Sequence, residues 1–260
     1  MTLYSHELKR GRLSLLIWTA AIAFMMAVSI VIYPEMTSQM EAVNEAFADM
    51  GSFSAAFGMD QLNFGEFLGY FAVECGETLG LGGGMFAALL GIGMLAKEER
   101  DHTAEFLLTQ PVSRTSVVTA KLLAILTELV ILNVAVFALS AACILLIGEE
   151  IEGTLVLLFL ACFLLQVELA AVCFGISAFL RRGGLGVGLG LTLGLYFLNI
   201  VANITEKVEF LKYFTPFAYT DGAEIVGKGS LNTAYLLIGL ALTVLGIAAS
   251  YLRYQNKDIA

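Results

Sequence analysis

Side chains capable of chemistry are few in this sequence, and their spacing argues against most of what they could do. Gly222-Ala223-Glu224-Ile225-Val226-Gly227-Lys228 has the glycine and lysine spacing of a phosphate-binding loop. Gly229 stands where that loop needs a Ser or Thr hydroxyl for the metal, so the glycines read better as turn residues. No other stretch could hold a nucleotide. His6 and His102 lie near no carboxylate pair or cysteine cluster, and the HExxH pattern is absent. Gly175-Ile176-Ser177 has the outline of a nucleophile turn, yet it sits in an apolar run with no His to act as base. Cys75, Cys143, Cys162 and Cys173 show no CxxC spacing and read as small buried hydrophobes. The chain is therefore not expected to be an enzyme or to bind a cofactor or metal of its own.

What remains is a set of carboxylates and amides inside long apolar runs, where they cost free energy and tend to mark a route for solute. Glu128 lies about 10 Å along a helix from Lys121, and Glu168 about 20 Å from Arg181. Asn133, Gln166, Asn199 and Asn203 add hydrogen-bonding groups. One reading is a polar pathway, with Glu128, Glu168 and Asn199 meeting a cationic or amphipathic substrate. The other is interhelical hydrogen bonding, with the carboxyls partly neutralised by burial. For the amides packing is the better reading; for the two Glu both readings stand.

The elements that carry these groups follow from composition. Of 260 residues, 58% are hydrophobic and only 14% charged, against about 25% charged in an ordinary globular domain. Runs of roughly 20 apolar residues recur, each long enough to cross a bilayer as a helix. The expected fold is an all-α integral membrane protein, a single domain over 1–260 with spans at about 13–33, 68–96, 120–147, 155–180, 185–204 and 234–252. Residues 1–12, with Leu3, Tyr4 and Leu8 on one face, predict an amphipathic helix lying on the membrane surface. Pro34 is expected to end the first span. Residues 34–66 carry six acids and no Lys or Arg, and Met36, Met40, Val43, Phe47 and Met50 share one helical face. Gly76, Gly80 and Gly84 on the second span, and Gly186, Gly190 and Gly194 on the fifth, form ridges that let another helix approach.

The net charge of −9 is sorted by side rather than pooled, so it is no evidence for a basic partner, and no nucleic-acid partner is expected. Eleven of the 14 basic residues fall in the N-terminus, the interval after the second span, the Arg181-Arg182 turn and the tail. By the positive-inside rule, both termini and that interval are cytoplasmic.

The interval Lys97–Lys121 is the most unusual stretch. In it Glu105-Phe106-Leu107-Leu108 sets bulky apolar side chains in a polar loop. Asp101 or Thr103 can cap a short helix there, and Pro111 ends it. Such a helix has no covering partner within the loop. It either docks a second protein or folds back into the lipid headgroups, and physics alone does not choose. The residues themselves resemble a known pattern. The cytoplasmic loop of type-2 ABC transporter permeases has Gly-Thr-Leu-Glu before a Leu-Leu pair and Pro-x-Ser-Arg after it. Thr103, Glu105, Leu107, Leu108, Pro111, Ser113, Arg114 and Lys121 match; His102 replaces the Gly and Ala104 the Leu. The Pro216-Phe217-Ala218-Tyr219 segment and the basic tail are similar to the last third of the same permeases.

That resemblance implies a permease subunit of an ATP-driven exporter in a prokaryotic plasma membrane. It implies a separate ATPase subunit, holding ATP and Mg, docked on a coupling helix through Thr103, Glu105, Phe106, Leu107, Leu108, Pro111 and Arg114. It also implies a second permease, identical or not, paired within the lipid. The rival readings are a channel or secondary transporter using Glu128 and Glu168, and a membrane accessory or immunity protein.

Overall fold

The computed structural model describes residues 2–36, 50–57, 59–97, 112–180 and 184–256. Nine α-helices order these residues: α1 (Thr2–Met36), α2 (Ser52–Ala56), α3 (Phe67–Glu74), α4 (Gly83–Met94), α5 (Arg114–Leu146), α6 (Gly153–Ser177), α7 (Leu185–Ile204), α8 (Gly222–Lys228) and α9 (Thr233–Gln255). A π-helix, Cys75–Gly82, joins α3 to α4, and 3-10 turns cover Met59–Gln61, Glu206–Phe214 and Pro216–Thr220. Six helical stretches are long and apolar enough to cross a bilayer: α1, α3 through α4, α5, α6, α7 and α9.

Two expectations at the N-terminus are corrected. Residues 1–12 do not form a separate surface helix; from Thr2 they are the opening turns of α1. No residue there breaks the helix, and part of the apolar face packs on protein. Leu3 packs on the core, and Tyr4 Oη lies 2.9 Å from Thr127 Oγ1 of α5. At 35 residues α1 is about 50 Å long, so its ends project beyond a hydrocarbon core of about 30 Å. Pro34 does not stop it either, because the helix runs on to Met36. Pro34 gives up one bond, to the Ile30 carbonyl, and Tyr33 beside it is held by contacts elsewhere in the bundle. Its hydroxyl donates to the Gly65 carbonyl at 3.0 Å, and its ring packs against Phe67 and Tyr70.

The second span is not one regular helix. Its wide turn falls in a glycine-rich run, and a chain of amides supports it. Asn133 Nδ2 donates to Gln166 Oε1 at 2.6 Å, and Gln166 Nε2 donates to the Leu79 carbonyl at 3.2 Å. The amides expected to pack helices do so here, adding a second donor to the Leu79 carbonyl, which also accepts from the Gly83 N–H.

Helix α6 is the axis of the bundle, with buried residues from Leu155 to Ser177. Glycine makes its closest contacts possible. A side chain at Gly91 of α4 would meet the Ala170 carbonyl at 2.3 Å, and one at Gly246 of α9 the Ala171 carbonyl at 2.5 Å. By contrast α1, α7 and α9 present many large apolar side chains outward, among them Phe24, Phe197 and Leu245. Such a surface suits lipid or a partner helix.

Candidate functional site

The densest polar construction in the described residues lies at the roots of the interval 98–111. Lys97 follows α4, and Lys121 sits two turns into α5. Both reach the same carboxylate, Glu7 of α1. Lys121 Nζ donates to Glu7 Oε1 at 3.0 Å and to the Met94 carbonyl at 2.8 Å, while Lys97 Nζ donates to Glu7 Oε2. The side chains of Lys121 and Glu7 are 0% and 2% exposed. Burial on that scale is tolerated only because the charges are paired, and taking one away costs several kcal/mol.

Glu128 belongs to the same cluster. It is 1% exposed, within electrostatic reach of Lys97 and Glu7, and its Oε2 has no hydrogen-bond partner. Its carboxylate lies against α1 at Gly11, one turn beyond Glu7. A side chain at Gly11 would come within 2.1 Å of Glu128 Oε1. Glu7 and the two ammonium groups thus hold α1, α4 and α5 together where the interval leaves and rejoins the bundle, with the Glu128 carboxyl packed beside them.

Further contacts tie the same region to the end of the chain. Ser113 caps α5, its Oγ accepting from the Ser116 N–H at 3.2 Å. Arg114 Nη1 donates to the carbonyls of Tyr254 and Gln255 at 3.2 and 3.0 Å. Those carbonyls end α9, where helices leave acceptors without intrahelical donors. Thr119 Oγ1 and Tyr251 Oη lie 2.7 Å apart, and Ser177 Oγ accepts from the Leu95 N–H at 2.9 Å. Of the residues assigned to coupling, Arg114 is therefore placed as a tie to the C-terminal helix. Thr103, Glu105, Phe106, Leu107, Leu108 and Pro111 lie outside the described residues.

The three residues read as a pathway are in three separate settings. Glu128 is in the cluster just described. Glu168 of α6, 3% exposed, accepts a 2.8 Å hydrogen bond from the Tyr219 hydroxyl, with Gly239 of α9 packed against its carboxylate. Asn199 of α7 lines a cavity with Glu77 near the other end of the bundle.

The chain matches, over residues 1–259, a family model described as ABC-2 family transporter protein. The chain belongs to the ABC-2 transporter family. No curated protein matches it. As an ABC-2 permease with six spanning helices it is a multi-pass membrane protein, a transport component.

The two glycine ridges of this ABC-2 chain differ in use. Gly76, Gly80 and Gly84 are covered from within, by the Thr220 carbonyl at 3.9 Å, Cys162 Sγ at 3.8 Å and Leu169 Cδ1 at 3.0 Å from where a side chain would begin. Gly186, Gly190 and Gly194 have nothing within 4 Å. Among the described residues, no group of three or more His, Cys, Asp or Glu could hold a metal ion.

Sequence reasoning missed Glu7, which looks like one acid in a basic leader. A signal was present in α5. Val117, Val118, Lys121, Ala124, Ile125, Glu128 and Leu129 fall on one helical face, so a Lys and a Glu share the stripe that must be buried.

Proposed function

We propose that this chain is the membrane half of an ATP-driven exporter in a prokaryotic plasma membrane. In this reading the N-terminus, the 98–111 interval and the tail face the cytoplasm, where most of the basic residues fall. ABC-2 permeases generally work with a nucleotide-binding ATPase. Here that subunit grips the interval through Phe106, Leu107 and Leu108, holding ATP and Mg on its own side. The observation that carries this reading is the shared clamp. Because Lys97 and Lys121 both close on Glu7, a push on the interval is delivered to α1, α4 and α5 as one body. Rigid-body displacement of packed helices is a common way for a local event to reopen a distant cavity. A second permease pairs through α7, whose open glycine face, flanked by exposed Val187 and Phe197, suits close approach of another helix.

The channel or secondary-transporter reading is less well supported. Glu168 is enclosed by Tyr219 and Gly239, and Glu128 lies against α1. The test is affinity purification of the tagged chain from its native membranes. A nucleotide-binding ATPase should accompany the wild type and be lost in Leu107→Asp, with thermal stability of the chain unchanged. Equal recovery of the ATPase with Leu107→Asp would refute docking at this interval.

A further inference from the structure

The cavity that holds Asn199 lies between the π-helix, α7 and the Pro216–Thr220 turn, at the end of the bundle opposite the two termini. Its volume of about 50 Å³ exceeds the 10–15 Å³ that one water needs. It therefore has room for a small ion together with a few waters.

Glu77, Tyr196, Asn199, Asn203, Thr220 and Asp221 supply its polar lining, and no Lys, Arg or His is among the lining residues. Most of the available hydrogens are already committed. Tyr196 Oη donates to Glu77 Oε2 at 2.5 Å, Thr220 Oγ1 donates to the Phe217 carbonyl at 2.9 Å, and Asn203 Nδ2 donates to the Ala56 carbonyl at 3.3 Å. Asp221 Oδ1 accepts the N–H groups of Ala223 and Glu224. What is left is mainly oxygen. The amide oxygens of Asn199 and Asn203 are both buried without a partner.

Two carboxylates, two orphaned amide oxygens and two hydroxyl oxygens form a lining short of donors, with Lys212 outside it but within electrostatic reach of Asp221. Unpaired buried acceptors are costly, and a cation satisfies them all at once. The oxygen set is hard, which excludes the thiolate- and imidazole-preferring metals. Lys212 offsets the charge of Asp221, which leaves Glu77 as the unbalanced carboxylate and suits an ion of single charge. The wide turn of the π-helix carries Glu77, and such turns often occur at ligand sites.

We infer that this cavity binds a small monovalent alkali cation, with Glu77 as its charge partner and Asn199 and Asn203 as neutral oxygen ligands. The site needs no ATPase, so it is tested apart from any transport reading. Purified full-length chain in detergent is unfolded by heat in NaCl, KCl or choline chloride at equal ionic strength. At ten times the dissociation constant, Na⁺ or K⁺ should raise Tm by roughly 3–5 °C over choline and saturate. Glu77→Gln, which keeps an oxygen for Tyr196, and separately Asn199→Ala should each remove that increment. Binding of ²²Na⁺ or its displacement by K⁺ gives a second readout on the same variants. Equal Tm in all three salts, an equal cation effect in both variants, or a response to CaCl₂ alone would overturn the assignment.

Discussion

Replacing Glu7 by Gln removes the carboxylate that both Lys97 and Lys121 pair with, while keeping nearly the same shape. At the 3.0 Å separation of Lys121 Nζ and Glu7 Oε1, and an effective dielectric of 20, the lost attraction is about 5.5 kcal/mol. The Gln carbonyl and the Met94 carbonyl still accept from Lys121, and the 12% exposed Lys97 can turn partly toward water. The net loss should fall near the lower end of the 3–5 kcal/mol seen when a buried pair is broken, about 3 kcal/mol. For a chain of this size that corresponds to a fall in Tm of roughly 6–12 °C. The chain supplies its own reporter, because Cys75, Cys143, Cys162 and Cys173 are all buried free thiols. A thiol-reactive fluorophore therefore follows unfolding in detergent without a label being introduced. Lys9→Gln, which removes an exposed charge two residues away, should leave the midpoint within about 1 °C. Combining Glu7→Gln with Lys121→Met should recover most of the loss, since replacing both charges avoids stranding one. A single variant as stable as wild type, or a double variant no better than the single, would refute the clamp.

Three further outcomes follow from other parts of the bundle. Gly91→Ala should cost about 2–3 kcal/mol by forcing α4 from the Ala170 carbonyl, whereas Gly190→Leu should leave the midpoint of the isolated chain unchanged and abolish dimer on size-exclusion chromatography. Tyr219→Phe should lose about 1–3 kcal/mol in the same thiol assay by removing the hydrogen bond to buried Glu168. Burial pushes the Asp221 carboxyl above its ordinary 3.8, against Lys212 and the two N–H groups it caps. The folded state then holds this proton more tightly than the unfolded, so stability should fall as pH rises from 3.8 through the raised folded value. Asp221→Asn, which keeps the cap, should flatten that part of the profile; an unchanged slope would count against it.

The spans were legible because lipid leaves a chain few options. Any run able to cross must satisfy its backbone internally, so length and apolarity suffice to find it. The expected fifth span, 185–204, coincides with Leu185–Ile204 of α7. The irregular second span was half visible, in glycines that permit a break, but not in the register adopted at Cys75–Gly82. That register meets Gln166, 87 residues away from the carbonyl it donates to. The clamp was hidden for the same reason. Glu7 stands 90 and 114 positions from its two lysines, and local pattern assigns it only to a polar leader. Charge on the inward stripe of α5 announced that a partner must exist without saying which acid it was. The glycine ridges illustrate the converse limit, since identical spacing fits a face already filled by α6 and the Pro216–Thr220 turn and a face left open.

Glu7 brings the beginning of the chain to the roots of the 98–111 interval, and Arg114 brings its end to the same place. A bulky domain fused to either terminus would therefore sit beside the interval proposed to receive an ATPase. Long linkers, or a tag placed in the acidic loop between α5 and α6, would leave that interval clear. Fluorophores on the two ends should report proximity from the first measurement, and their separation should change whenever the clamp lets go.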